Sequence, residues 1–286
     1  LQYQLIPRAA QSVKVLGEVV HLIVLFYQLY KQAIINDIID ISNTFCQFIN
    51  IRVPIEQVKS ETRNQELLNE FHNAQCKTLG YFALSMRSAA TARSPLIETM
   101  MANGDRIVSG TLLLLETCPL MVINQRKELL SSTKTFFSFE QLRGKFLPVL
   151  PRLFSEKLVI GTAFTANDSL RNMMYTQLAD LLHHLRLQLS YPVLCHATYV
   201  FSRCLHDPML PASTQAMSVR LIMNLSDSFT QCEQRNSEPC RDILFGVMDS
   251  IITKLRVVVL YHLPLLFQAL GEGQVFRSCE FRVTEM

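Results

Sequence analysis

Three groups of residues have the types and spacing that chemistry would need. Residues 206–213 read HDPMLPAS, which puts His206, Asp207 and Ser213 close together in the chain. A hydrolytic triad needs its histidine between the other two groups in space, and adjacent His206 and Asp207 held in a turn do not provide that. Asp207 followed by Pro208 is a turn-opening pair, and Pro211 suits the first turn of a following helix. The stretch therefore reads as punctuation between two helices. The second group is DLLHH, which sets Asp180 and His184 four residues apart, with His183 three residues from Asp180 and His196 beside Cys195 in the next helix. These four could ligate a metal and serve a metal-dependent hydrolase, the enzymatic alternative for this chain. No second motif such as HExxH completes that site, and the simpler expectation is one histidine at a core edge and another in solvent or paired with the aspartate.

The third group is the eight cysteines, at 46, 76, 118, 195, 204, 232, 240 and 279. They contain no CxxC pair, and most lie within apolar helical patterns, so they read as reduced core thiols of a cytosolic or nuclear protein. Cys76, in NAQCKTLGYFAL, is expected to pack rather than act as a nucleophile. Asn224 in NLS has the form of a glycosylation acceptor but lies within a helical apolar stripe. The sequence has no GxGxxG, no GxxxxGK[ST], no GxSxG and no kinase signature. Catalytic, cofactor-binding and metal residues are accordingly expected to be none, and no cofactor is implied.

The elements that would position any of these residues are helices. Glycine is scarce, 9 in 286 residues, and no run alternates as a strand would. Met174, Leu178, Leu181, Leu182, Leu185 and Leu189 lay one stripe along a helix from about 168 to 189, entered through a capping box at Thr165 to Asp168. A second stripe, from Val193 to Leu205, follows Ser190 as a cap and Pro192 in the first turn. Met217, Leu221, Leu225 and Phe229 form a third, and a fourth runs from Ile243 to Val259. Upstream, SFEQ (138–141) is a capping box ahead of a helix ending near Phe154, and Ser94-Pro95 starts another. Roughly ten helices result. Connections are short in the second half, which predicts antiparallel hairpins, and the alternate helix starts at 168 and 212 match the span of about 40–47 residues of HEAT-type repeats.

The expected class is all-α, an α-solenoid of HEAT-like antiparallel helix pairs. The expected organisation is helical repeat over residues 1–50, a polar loop over 51–65, HEAT-like repeats over 66–270 and an irregular tail over 271–286. The chain opens on Leu1 rather than Met, close to a periodic segment, and is expected to be part of a larger protein. A net charge of +3 with scattered basic residues gives no nucleic-acid footprint, and no direct nucleic-acid contact is expected. Hydrophobic residues make up 49%. The apolar stretches Val19 to Tyr30 and Leu255 to Leu270 are short or interrupted, so no membrane association is expected.

Several segments are similar to successive pieces of the TRRAP family. They are VLFYQLYKQ (24–32), NAQCKTLGYFAL (73–84), TCPLMVINQRKELL (117–130), the stretch from Leu142 to Arg186 that includes YTQLADLLHHLR, and FSRCLHDPMLPASTQAMSVRLIMNLSDSF (201–229). The resemblance covers about residues 20 to 265, and residues 1–20, the tail after about 270 and the loop at 51–65 depart from it. It implies HEAT-like repeats from the N-terminal region of giant transcription-associated proteins that end in a kinase-like domain lacking catalytic residues. It also implies a nuclear scaffold whose partners are protein subunits of SAGA-type and related histone acetyltransferase complexes and transcription activators. It transfers no site residue, because the matching motifs are helix faces and turns. A rim of Arg126, Lys127 and Lys134 beside an apolar groove is the expected place for an acidic amphipathic activator segment. A nuclear-transport or vesicle-coat solenoid would share the helical period and is the alternative scaffold. An excised solenoid piece is expected to be aggregation-prone, since its end seams lie open.

Overall fold

The computed structural model describes residues 10–30, 33–53, 62–94, 96–117, 123–159, 168–232 and 237–271. Among them are fourteen α-helices and no strand: α1 (Ala10–Tyr30), α2 (Ile35–Phe48), α3 (Thr62–Thr91), α4 (Leu96–Ala102), α5 (Gly104–Thr117), α6 (Ile123–Phe137), α7 (Glu140–Phe146), α8 (Leu150–Leu153), α9 (Glu156–Val159), α10 (Asp168–Leu185), α11 (Tyr191–His206), α12 (Ala212–Gln231), α13 (Glu238–Val257) and α14 (Leu263–Gly271). The all-helical class therefore stands. The helices fall into two compact units, residues 1–148 with 155–170, and residues 149–154 with 171–286.

In the first unit α3 is the spine, with α1 along one side and α6 along another. The α1–α3 pair buries Val20, Val24 and Tyr27, stacks His21 against Tyr81 at 5.0 Å, and is bordered by Lys77–Glu18 and Lys14–Glu70 ion pairs at 3.1 and 3.8 Å. By length and composition alone, Gln11–Tyr30 could cross a membrane, with a mean hydropathy of 1.5. The expectation of no membrane association rested on the run of uncharged apolar residues, which Lys14 and Glu18 interrupt, and one face of this helix packs on α3, burying Val20, Val24 and Tyr27. Helix α3 ends in a Schellman motif: Ser94 N–H donates to Ala89 O and Arg93 N–H to Ala90 O, with Arg93 at φ 52° where glycine is usual. Gly110 of α5 packs against the C-cap of α2, where a Cβ would lie 2.8 Å from Ile49 Cδ1.

In the second unit α11 and α12 form the tightest hairpin, and α13 packs on both. The α10 stripe is buried at Met174, Leu178, Leu181, Leu182 and Leu185, and Tyr175 meets Phe201 of α11 edge to face at 6.0 Å, but the helix ends at Leu185 in a 3-10 turn and Leu189, expected to extend the stripe, is only half-buried. Helices α10 and α12 begin at 168 and 212, the expected repeat spacing. After α13 a π-helical turn at Val258–His262 carries the chain into α14. Pro264 cannot donate to the carbonyl one turn back, and Leu263 N–H instead reaches Val258 O.

The local punctuation differs from the sequence reading in four places. The Ser138 hydroxyl donates backward to Thr135 O at 2.6 Å and Phe139 is the N-cap of α7, so SFEQ is not a capping box. The helix expected to run on to Phe154 stops at Phe146, because Pro148 and Pro151 break it into a 3-10 turn and the short α8. Ser190 holds the N-cap position of α11, with proline in the first turn, but its side chain makes no capping bond. Helix α3 begins at Thr62, inside the stretch expected to be loop. Pro95, residues 54–61, Thr165 to Asn167 and the tail from 272 lie outside the described residues.

Candidate interaction surface

The HDPMLPAS stretch is a turn held by a polar network within the second unit. The Asp207 carboxylate accepts from the Arg171 guanidinium at 2.5 Å and from Met209 N–H at 2.9 Å, an Asx turn. Burial works against the charged form, but the Arg171 hydrogen bond, the Met209 N–H and the Arg171 and Arg203 charges together hold Asp207 below the usual carboxylate range. Gln215, nearly buried, donates to Asp207 O and Leu210 O, both at 2.9 Å, and accepts from Lys254 Nζ at 2.5 Å. Burial lowers the Lys254 pKa. His206 meets Ser250 Oγ at 3.0 Å, away from the Asp207 carboxylate's partners, and Ser213 is exposed at the start of α12. These side chains tie the α11–α12 turn to α10 through Arg171 and to α13 through Ser250 and Lys254, and they are not arranged as a nucleophile and base.

The alternative metal set does not assemble. His184 Nε2 lies 3.7 Å from Asp180 Oδ1 across one turn of α10, His183 Nδ1 is 3.3 Å from Asn224 Nδ2 of α12, and His196 stacks on Phe154 at 4.9 Å. The His183 and His184 rings meet edge to face at 5.5 Å, but their nitrogens turn to different partners, Asn224 and Asp180. No three His, Cys, Asp or Glu residues converge as ligands among the described residues. Asn224 is half-buried within α12, and Cys76 is fully buried.

The expected basic rim is split. Arg126 is fully buried, donating from Nη1 to Leu158 O (2.7 Å) and Val159 O (2.8 Å) and from Nη2 to Leu115 O (3.0 Å), so it is an internal clamp and not a rim residue. Its α-helical phase, one residue from Lys127, turns it inward. Lys127 and Lys134 are exposed. Basic groups the sequence reading missed line two depressions of the first unit. A cavity of about 750 Å³ beside α1, α2 and α5 is lined by Leu16, Val20, Phe45, Phe48 and Ile51, with Arg106 at its edge. A groove of about 330 Å³ between α3 and α6 presents Leu84 and Tyr81 with Arg87, Glu128 and Lys77, the last paired with Glu18.

Most of the exposed large apolar side chains fall on α1 and on α13 to α14. On α1, Val15, Val19, Leu22, Phe26 and Leu29 recur at alternating steps of four and three, with Leu29 74% exposed. On α13 and the turn after it, Phe245, Met248, Ile252, Leu255 and Val259 recur at three and four, with Phe245 72% exposed. Their spacing is that of an interhelical seam. The α13 stripe read as core from the sequence is thus two stripes: Cys240, Val247, Lys254 and Val258 are buried, while Met248, Ile252, Leu255 and Val259 face outward.

Within each unit, helix pairs packed side by side with an apolar stripe left open, on α1 in one and on α13 in the other, define a helical-repeat protein. A family model described as the Tra1 HEAT repeat central region matches residues 67–275, and the chain belongs to that family, as its resemblance to TRRAP implied. It is 40% identical over 271 residues to Transcription-associated protein 1 of Caenorhabditis elegans, covering 95% of this chain and 6% of that protein. It is 34% identical over 266 residues to the human Transformation/transcription domain-associated protein, covering 93% of this chain and 7% of that protein. A third relative, the SAGA complex/NuA4 acetyltransferase complex subunit Tra1 of Schizosaccharomyces pombe, is 29% identical over 267 residues, 88% of this chain and 7% of that protein. The chain therefore spans less than a tenth of each of these relatives. The match names a central repeat region where the resemblance implied an N-terminal one, so the expected placement shifts inward.

Proposed function

We propose that this chain is a non-catalytic scaffold segment of a nuclear transcription coactivator, linking transcription activators to histone acetyltransferase complexes. The family match over residues 67–275 carries this reading. The fission-yeast relative's name as a SAGA and NuA4 acetyltransferase complex subunit supports protein-complex partners. The physical support is a surface suited to protein rather than to a small substrate: open apolar stripes on α1 and α13, and depressions edged by Arg106 and Arg87. An acidic amphipathic segment would seat its apolar side chains in such a depression and its carboxylates on the basic edge, folding as it binds.

The test is affinity purification of the full-length protein containing this chain from nuclear extract, with mass spectrometry of what stays bound. Histone acetyltransferase subunits are expected, and Phe245→Glu with Ile252→Glu, which charge the open stripe without touching the core, should lower their recovery several-fold. Recovery of transport or coat factors with no acetyltransferase subunit would overturn the reading.

A further inference from the structure

Two apolar stripes stand open on the same chain, and their step orders fit each other. From Val15 the α1 stripe climbs by four, three, four and three residues to Leu29. Read backward from Val259, the α13 stripe falls by four, three, four and three residues to Phe245. Laid antiparallel with Leu22 on Ile252, the two helices therefore match at all five layers, from Val15 on Val259 to Leu29 on Phe245. Alternating steps of three and four form the seam along which two helices interdigitate. Phe26 then meets Met248, a favourable sulfur–aromatic pairing, and valines close one end while the larger Leu29 and Phe245 fill the other.

Other pairings of these helices fit less well. Parallel α1 on α13, or either helix antiparallel on its own copy, slips by one residue, about 1.5 Å, at alternate layers. Either helix parallel to its own copy keeps step but sets like charges level, Glu18 with Glu18 or Arg256 with Arg256. The antiparallel α1–α13 pair instead sets Glu18 level with Arg256, both of them exposed. The ten seam side chains offer on the order of 1,000 Å² of open apolar surface, and Leu25 and Tyr30 beside them bring the pair near the roughly 1,200 Å² of a specific association.

We propose that the α13 stripe of a second copy of this chain covers the α1 stripe, antiparallel and in this register, making a head-to-tail contact. The contact is heterologous: a chain that gives its α13 keeps a free α1, so association runs beyond two copies or closes into a ring. Its size is at the small end of specific interfaces, which makes it transient and concentration-dependent. This inference does not draw on the coactivator reading, and its test uses the purified chain alone.

Sedimentation of the purified chain over about 1–100 µM should show the mass rising from the 32.7 kDa of one chain to twice that or more. Leu22→Glu and Ile252→Lys each charge one stripe at an exposed position, and each variant alone should keep the mass of one chain. An equimolar mixture should form one-to-one pairs and grow no further, because the intact α13 of the first variant meets the intact α1 of the second. Pairing in the mixture also shows that both variants fold, and unchanged helix content by circular dichroism checks this separately. A parent chain that keeps the mass of one chain throughout would leave both stripes to other proteins and overturn the proposal. So would a mixture that fails to pair, or association abolished by only one variant, which would place α1 on α1 or α13 on α13.

Discussion

Replacing Arg126 with methionine tests whether the first unit depends on one buried cation. The guanidinium serves three carbonyls, Leu115 O near the end of α5 and Leu158 O and Val159 O at the end of α9, where helix C-termini concentrate negative potential. Hydrogen bonds from a charged donor contribute about 1.5–3 kcal/mol each. Removing the guanidinium also relieves a burial penalty of several kcal/mol, so the net loss for Arg126→Met is about 3–4 kcal/mol, in the range for breaking a buried ionic network. Lysine keeps the charge but offers a single ammonium in place of a planar fork, and Arg126→Lys should lose a similar amount. The exposed neighbour Lys127→Met should stay within about 0.5 kcal/mol of the parent. Urea unfolding followed by circular dichroism gives the stabilities, and hydrogen exchange at α5 and α6 amides locates the loss. If Arg126→Met unfolded within about 0.5 kcal/mol of the parent, the clamp would be incidental and the reasoning wrong.

Two further outcomes follow from the first unit. His72 is buried, its Nδ1 has no partner, and burial lowers its pKa from 6.5 to about 4. The unfolded chain binds this proton first as pH falls, so the stability contribution is full above pH 6.5 and is lost as pH drops toward 4, a span worth up to about 3 kcal/mol. Urea midpoints at pH 7 and pH 4.5 should show that loss, and His72→Leu should flatten it; an unchanged slope in the variant would assign the pH dependence elsewhere. Gly110→Ala puts a methyl 2.8 Å from both Cδ1 and Cγ1 of Ile49, which is itself only 1% exposed. It should destabilise by about 1–3 kcal/mol despite the better helix propensity of alanine, and Gly110→Ala with Ile49→Val should recover part of that.

Helix content, the α10 to α12 stripes and the repeat spacing were legible because 3.6-residue periodicity is a local property. Met174, Leu178 and Leu181 announce a buried face whatever packs on it. Caps were less legible, since Ser138 and Ser190 had the right residue type, yet a hydroxyl can bond backward as easily as forward, and only the surrounding backbone decides. Arg126 illustrates the same limit for charge. A sequence shows a basic residue beside Lys127, but whether it meets water or three carbonyls depends on α9, more than thirty residues away.

The α13 helix shows why the candidate surface was harder to read than the fold. Its apolar residues form a band too broad for one face, and hydrophobicity by itself says that both halves seek burial. The structure divides the band: Val247 and Val258 turn inward with Cys240, and Phe245, Met248, Ile252 and Leu255 remain open. In a globular domain such an open stripe would be a liability, whereas in a repeat array it is the face on which association depends. The buried Lys254–Gln215 contact fixes the rotation of α13 about its axis, because any other setting would leave the ammonium without its buried acceptor. A polar contact inside the turn network thus determines which apolar residues are offered outside, and a variant that freed Lys254 would alter binding at Phe245 without touching it.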